Sequence, residues 1–195
     1  MNKKTHQMVL TALMIALMIV LQMTGIGLIR LGVINITFYC TVIAIGAMVL
    51  GLKSGLIQGF AFGTISLISA IQAPSGLVAP LTAKAMGWPL VAIMCYVPRL
   101  LVPVMAFGVY RLLSRKNVNI HISVAAGAAA GSLCNTILYL GLLLLNYSIT
   151  VADYPGLLVT VGTIALTGGI PEAVVAGLVA PPVVIALKKI YRESI

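Results

Sequence analysis

Three polar residues interrupt long apolar stretches of the sequence: Arg99, Asn135 and Glu172. An ionisable side chain at the centre of a bilayer costs at least about 2.5–3.5 kcal/mol, so such residues are usually functional or paired. A guanidinium binds a carboxylate through two parallel hydrogen bonds, and amide or carboxylate groups bind hydroxyls and amides. The three residues therefore predict a site for a small polar molecule. The alternative is a structural ion pair in which Arg99 and Glu172 neutralise each other.

The composition indicates that these residues lie in a membrane. Of 195 residues, 61% are hydrophobic and 8% are charged, and the mean hydropathy is +1.16. A soluble domain has about 25% charged residues, so a soluble core of this size could not hide so much apolar surface. This excludes a cytosolic enzyme, a secreted disulfide scaffold and a disordered chain. A span takes about 20 residues, so the length predicts one transmembrane domain, residues 1–195, with six helices.

Six apolar runs predict an all-α integral membrane protein. The predicted spans cover residues 8–29, 36–52, 55–71, 88–113, 122–145 and 171–187. A signal peptide has only about 7–15 apolar residues, so the longer first run is interpreted as a retained helix. Pro171 suits the start of a helix, which makes residues 154–166 a hydrophobic connection or a short helix dipping into the membrane. The alternative is one long kinked helix from Leu157.

The basic residues predict the orientation. With the N-terminus inside, nine of them fall on the cytoplasmic side and two, Arg30 and Lys84, on the other. The nine are Lys3, Lys4, Lys53, Arg111, Arg115, Lys116, Lys188, Lys189 and Arg192. Cytoplasmic loops carry the excess of Lys and Arg, so both termini are predicted to be cytoplasmic. Because the basic residues cluster at span ends, the net charge of +9 does not indicate nucleic-acid binding.

The three polar residues are predicted to lie at similar depths. At 1.5 Å per residue, Arg99 is about 18 Å from Arg111, Asn135 about 20 Å from Ile122, and Glu172 about 24 Å from Lys188. All three fall in the outer half of a hydrocarbon layer about 30 Å thick, on three different helices. They could converge on a pocket that opens to the outside. The start of the last helix would also favour an anion at Glu172.

No catalytic or metal-binding set is present in the sequence. The three cysteines, Cys40, Cys95 and Cys134, lie in apolar runs and are interpreted as small buried hydrophobes. His6 and His121 have no paired ligand, and no HExxH, GxSxG or nucleotide-binding motif occurs. The chain can therefore hold a binding pocket, but it has no evident energy source. This favours a binding subunit that works with other proteins.

Small residues recur every four positions in three predicted helices, including Gly127 and Gly131 in the fifth. Gly51, Gly55, Gly59 and Gly63 form one series, and Ala12 and Ala16 form a pair in the first helix. Such stripes let helix backbones approach closely in lipid. The glycines are interpreted as internal packing. The alanines lie in a flanking helix and could instead face another subunit.

Five sequence segments carry a family resemblance. They are Ala12-Leu-Met-Ile-Ala16, residues 43–69 with their glycine series, Val97-Pro98-Arg99-Leu100-Leu101, Gly131-Ser-Leu-Cys-Asn135-Thr136 and Gly169-Ile-Pro171-Glu172-Ala173. Together they resemble the substrate-binding S component of an energy-coupling factor (ECF) vitamin transporter. The resemblance implies a multi-pass protein of the bacterial cell membrane, with six helices and a vitamin site near the outer face closed by loops. It implies assembly with a transmembrane coupling (T) protein, against which Ala12 and Ala16 would pack. Two cytoplasmic ABC ATPases would use ATP, and this chain itself would hold no cofactor.

Within that resemblance, the sequence is most similar to the pantothenate branch. Arg99 could hold the carboxylate of pantothenate, while Asn135 and Glu172 meet its hydroxyls or amide. The candidate wall residues are Trp88, Tyr96 and Tyr139. The rival ligands are pyridoxine-like or hydroxymethylpyrimidine compounds and folate, for which Glu172 would be the main acceptor. A non-transport structural membrane subunit remains the alternative of a different class.

Overall fold

The computed structural model describes residues 3–24, 28–31, 34–83, 87–151 and 156–193. Within them the chain is helical apart from one hairpin. The elements are α1 (Lys3–Thr24), β1 (Leu28–Leu31), β2 (Ile34–Thr37), α2 (Tyr39–Leu50), α3 (Leu52–Gln72), α4 (Ala79–Thr82), α5 (Gly87–Arg115), α6 (Ile120–Thr150), α7 (Leu157–Ile164), a π-helical turn (Ala165–Gly169) and α8 (Ile170–Glu193).

Five helical segments among the described residues are long and apolar enough to cross a membrane. They are Lys4–Thr24, Leu52–Gln72, Gly87–Arg115, Ile120–Thr150 and Leu157–Ile190. The predicted second span, 36–52, contains the end of β2 and the 12-residue helix α2. At 1.5 Å per residue α2 is about 18 Å long, which is shorter than the hydrocarbon layer of about 30 Å.

The last span differs from its predicted course. Residues 157–190 form one apolar helical segment, so the predicted start at Pro171 is wrong and the alternative of one long helix from Leu157 is confirmed. The reason lies at Pro171, which has no N–H for the carbonyl of Thr167 and would clash with it in a regular α-helix. In a π-helical turn each N–H bonds to the carbonyl five residues earlier, which relieves this constraint. Here the Ile170 N–H bonds to the Ala165 carbonyl. The predicted connection began at residue 154, and residues 152–155 lie outside the described part of the chain.

A short hairpin follows α1 and was not predicted. Strands β1 and β2 are antiparallel, with Leu28 opposite Thr37 and Arg30 opposite Asn35. The predicted first span ran to residue 29, whereas α1 ends at Thr24. The backbone of β2 lies against the π-helical turn and α8, so the hairpin borders the segment that carries Glu172. Lys84, the other basic residue predicted outside, lies beyond the described ranges.

The glycine series packs helix against helix, as predicted. A Cβ added to Gly55 would lie 2.7 Å from the Pro103 side chain, and one added to Gly59 would lie 2.6 Å from the Arg99 carbonyl oxygen. Both distances are too short for a real side chain, so α3 and α5 touch through backbone. Gly51 differs, because its φ of +96° makes the turn between α2 and α3.

Helix α1 packs loosely on the bundle and is fixed by polar contacts. The Thr11 hydroxyl lies 2.7 Å from the Gln7 carbonyl and 2.6 Å from the Ser54 hydroxyl. The buried Gln58 amide donates to Ser54 at 3.2 Å. These bonds tie α1 to α3 between otherwise apolar helix faces. Ala12 and Ala16 are both exposed, so they do not pack internally within the described structure.

A candidate small-molecule site between α3, α5, α6 and the π-helical turn

One cavity of about 710 Å³ brings four of the six predicted ligand-site residues together. Its lining includes Arg99 from α5, Asn135 and Tyr139 from α6, and Glu172 from α8. Small-molecule sites are typically about 300–1,000 Å³, so the space suits a molecule of vitamin size. Depth counting predicted this convergence, because the rise of a helix is fixed even when its rotation is unknown.

Trp88 and Tyr96 do not line this cavity. Trp88 is half-buried at the start of α5. Tyr96 packs against α3, where its ring stacks on Phe60 at 5.2 Å between centroids and its hydroxyl lies 3.1 Å from that of Thr64. A Cβ on Gly63 would overlap the same ring. Their proposed contact with the ligand therefore has no support from the arrangement of these helices.

Arg99 is held by neutral groups. Its Nη1 donates to the Met94 carbonyl at 2.8 Å and its Nη2 to the Ser66 hydroxyl at 3.1 Å. The guanidinium lies over the rings of Tyr139 at 4.6 Å and Phe62 at 5.3 Å. Such cation–π contacts strengthen when they are desolvated, and Arg99 is only 7% exposed. The residue is thus oriented by a carbonyl, a hydroxyl and two ring faces.

The hydrogen bonds of Arg99 leave donors for a ligand. A guanidinium has five N–H groups, and the two bonds above use two of them. Nε has no hydrogen-bond partner within the described residues. Within the described residues, the hydrogen-bond acceptors of Arg99 are a carbonyl and a hydroxyl and include no carboxylate. These bonds therefore differ from those expected for the alternative Arg99–Glu172 ion pair. A buried cation with unused donors is suited to bind an anion.

Gly59 allows α3 to pack closely against α5 at Arg99. Its missing side chain lets α3 approach the Arg99 carbonyl oxygen. Phe62, three residues further along α3, then lies beneath the guanidinium. The Phe62 ring is itself stacked on Tyr39 at 4.8 Å, and the Tyr39 hydroxyl donates to Gln22 of α1 at 2.8 Å. Phe62 and Tyr39 were not predicted as site residues.

Glu172 forms the opposite charge of the cavity. It is 7% exposed and lies within hydrogen-bonding reach of the Cys40 thiol in the first turn of α2. Cys40 is buried, as predicted, but its contact with Glu172 was missed because 132 residues separate the two. Glu172 lies in the first turn of α8, as predicted, but the π-helical turn leads directly into that helix, so this turn is not a free helix start.

The remaining walls come from α6, the π-helical turn and the segment after α3. Asn135 is half-buried, and its Oδ1 accepts no hydrogen bond within the described residues. Gly169 packs against the side chain of Thr136, where a Cβ would overlap it. The backbone around Leu77 is fixed by the Tyr147 hydroxyl, which donates to the Leu77 carbonyl at 2.6 Å. The cavity therefore offers a cation, an anion and an amide on an otherwise mostly apolar wall.

Apolar helices of spanning length around such a cavity define a membrane protein that binds a small molecule. The family model for the ECF transporter, substrate-specific component, matches residues 6–184. The chain belongs to this family. It is also 25% identical to the pantothenic acid transporter PanT of Lactococcus lactis subsp. cremoris (strain MG1363), over 99% of each chain. The protein is therefore a membrane transport component for vitamin uptake and not an enzyme.

Proposed function

We propose that this subunit captures pantothenate, or a vitamin with the same carboxylate chemistry, from outside the cell. The proposal depends on the position and hydrogen bonding of Arg99. It lines the cavity, is oriented by Met94 and Ser66, and has three N–H groups, on Nε and on the two terminal nitrogens, that make no other hydrogen bond within the described residues. A carboxylate is the group that such a planar donor set binds in bidentate form.

Pantothenate fits the other groups of the cavity. Beyond its carboxylate it has two hydroxyls and an amide, which Asn135 and Glu172 would bind. The resemblance to PanT supports the same ligand. Pyridoxine-like and hydroxymethylpyrimidine compounds have no carboxylate and would leave the Arg99 charge without an anion. Folate has carboxylates but brings a large flat ring system.

Binding to the purified subunit tests the ligand. Pantothenate, panthenol (which has an alcohol in place of the carboxylate), pyridoxine and folate are titrated separately by calorimetry. We expect pantothenate to bind tightly and panthenol at least tenfold more weakly. Tighter binding of pyridoxine or folate would refute the proposed ligand. Binding of none of them would also refute pantothenate as the ligand.

The assembly is proposed from the family and from α1. ECF proteins of this type work in a complex with membrane and ATPase partners. We infer that the T protein packs on the exposed Ala12 and Ala16, beside an apolar groove of about 570 Å³ lined by residues of α1, α2 and α8. Two ABC ATPases would supply the energy by using ATP, with no cofactor in this chain.

The proposed topology has six crossings with both termini inside, and α2 belongs to the second. The charge distribution supports it, because the ends of α5 and α8 carry Arg115, Lys188 and Lys189. A reporter fused after Ile195 is expected to be active only in the cytoplasm. Activity outside would refute this orientation.

A further inference from the structure

Two prolines inside α5 leave backbone carbonyls without their usual helical partners. In an α-helix the N–H of each residue bonds to the carbonyl four residues earlier. Pro98 and Pro103 lie inside α5 and have no N–H to give. The carbonyls concerned are those of Met94 and Arg99. Both residues are buried, so each carbonyl needs another partner or remains costly.

The Met94 carbonyl has found its partner in the guanidinium of the next residue after Pro98. Arg99 Nη1 donates to it at 2.8 Å, in a buried hydrogen bond across five positions of the same helix. Pro98 thus lacks the N–H that would normally bond to the Met94 carbonyl, and the adjacent residue, Arg99, supplies the donor that replaces it. The Arg99 carbonyl receives no helical hydrogen bond, because Pro103 has no N–H. It faces Gly59 of α3.

We propose that Pro98 is a positioning residue for the anion-binding guanidinium of Arg99. By withholding a backbone N–H, it leaves the Met94 carbonyl as a fixed acceptor for Nη1. With Nη2 held by Ser66, the rotation of the guanidinium is fixed, and the N–H groups that these two bonds do not use keep a fixed direction. The proposal rests on the proposed function, in which Arg99 binds a carboxylate.

Replacement of Pro98 by alanine separates this role from a structural one. The new N–H would compete with Arg99 Nη1 for the Met94 carbonyl, and the helix itself would become more regular. A proline in a helix interior is destabilising, so the melting temperature of ligand-free Pro98→Ala should be equal to or higher than that of the wild type. Pantothenate affinity should nevertheless fall by about 10- to 150-fold, the range for a lost hydrogen bond to a charged group.

The matched control is Pro182→Ala. This replacement makes the same chemical change in α8, at an exposed position outside the cavity lining. We expect its pantothenate affinity to equal that of the wild type. Panthenol provides a second control, because it lacks the carboxylate. Pro98→Ala should bind panthenol like the wild type, whereas general distortion of the cavity would weaken both ligands alike.

A double-mutant cycle makes the coupling explicit. In an Arg99→Ala background, Pro98→Ala should cause no further loss of pantothenate affinity, because the two changes remove one interaction. If Pro98→Ala does not fold, Pro98→Ser restores the same N–H and is measured in its place. Wild-type affinity for pantothenate in the folded variant would overturn the positioning role alone, since it would show that the carbonyl serves both donors. Failure of the wild type to bind pantothenate would instead refute the proposed function, and the positioning role with it.

Discussion

Replacing Arg99 by lysine changes the shape of the charge in the cavity while keeping its sign. Arg99 donates one bond from each terminal nitrogen, to Met94 and to Ser66, which leaves three of its five N–H groups without another partner within the described residues. Lysine has three donors on one atom and no planar fork. If it keeps one anchor, it can give the carboxylate a single bond in place of two.

The expected loss follows from that count. One hydrogen bond to a charged group is worth about 1.5–3 kcal/mol, and each 1.4 kcal/mol is about tenfold in affinity. Arg99→Lys should therefore weaken pantothenate binding by about 10- to 150-fold. Arg99→Ala removes the cation entirely, and truncation of a buried charge partner costs about 2–5 kcal/mol, or about 30- to 4,000-fold.

The assay is titration of the purified subunit with pantothenate and with panthenol. The loss should be confined to pantothenate, because only its carboxylate meets the guanidinium. Arg111→Lys is the matched control, since it makes the same change at an exposed position near the C-terminal end of α5 and should leave both affinities unchanged. If Arg99→Lys binds pantothenate like the wild type, the bidentate role of Arg99 is wrong.

Three further outcomes are expected. Gly59→Ala should lower the melting temperature and the free energy of unfolding by about 1–3 kcal/mol, because its methyl group would overlap a buried carbonyl; Gly108→Ala, which has open space around it, should not, and equal melting temperatures would contradict the close approach. Changing Ala12 and Ala16 together to leucine should leave pantothenate binding intact but lower uptake and co-purification with the T protein; loss of both binding and stability would show internal packing instead. Cys40→Ala should weaken pantothenate binding by about 2- to 10-fold through loss of a thiol donor, and Cys40→Ser should restore part of it; equal binding by both variants would contradict the contact with the cavity carboxylate.

The sequence predicted those features that depend on position along a helix. Apolar runs located the helices, and a fixed rise per residue placed Arg99, Asn135 and Glu172 at one depth. Tyr139 also follows Asn135 by four residues, which places both on one face of α6. Tyr96, an equally suitable aromatic residue, faces α3 instead, because the side of α5 that meets the cavity is decided by helix packing.

The features that were missed depend on contacts between distant segments or on local departures from the α-helix. Cys40 meets Glu172, and Tyr39 supports Phe62, only after α2, α3 and α8 have packed together. The π-helical turn follows from Pro171, but the same proline is equally compatible with a helix start. A single sequence does not choose between these two outcomes, because each satisfies the proline.

The hydrogen bonds that attach α1 also determine its rotation about its own axis. Thr11 has one hydroxyl hydrogen, which it gives to the Gln7 carbonyl, so Ser54 must donate to Thr11 and Gln58 must donate to Ser54. Each hydrogen bond in this series therefore has one possible donor and one possible acceptor. Turning α1 by one residue, about 100°, would carry the Thr11 hydroxyl away from Ser54, and the lipid supplies no water to replace it. Few side chains of α1 are buried, but these hydrogen bonds still fix the rotation of the helix about its axis. A protein that binds α1 therefore always contacts the same face of it.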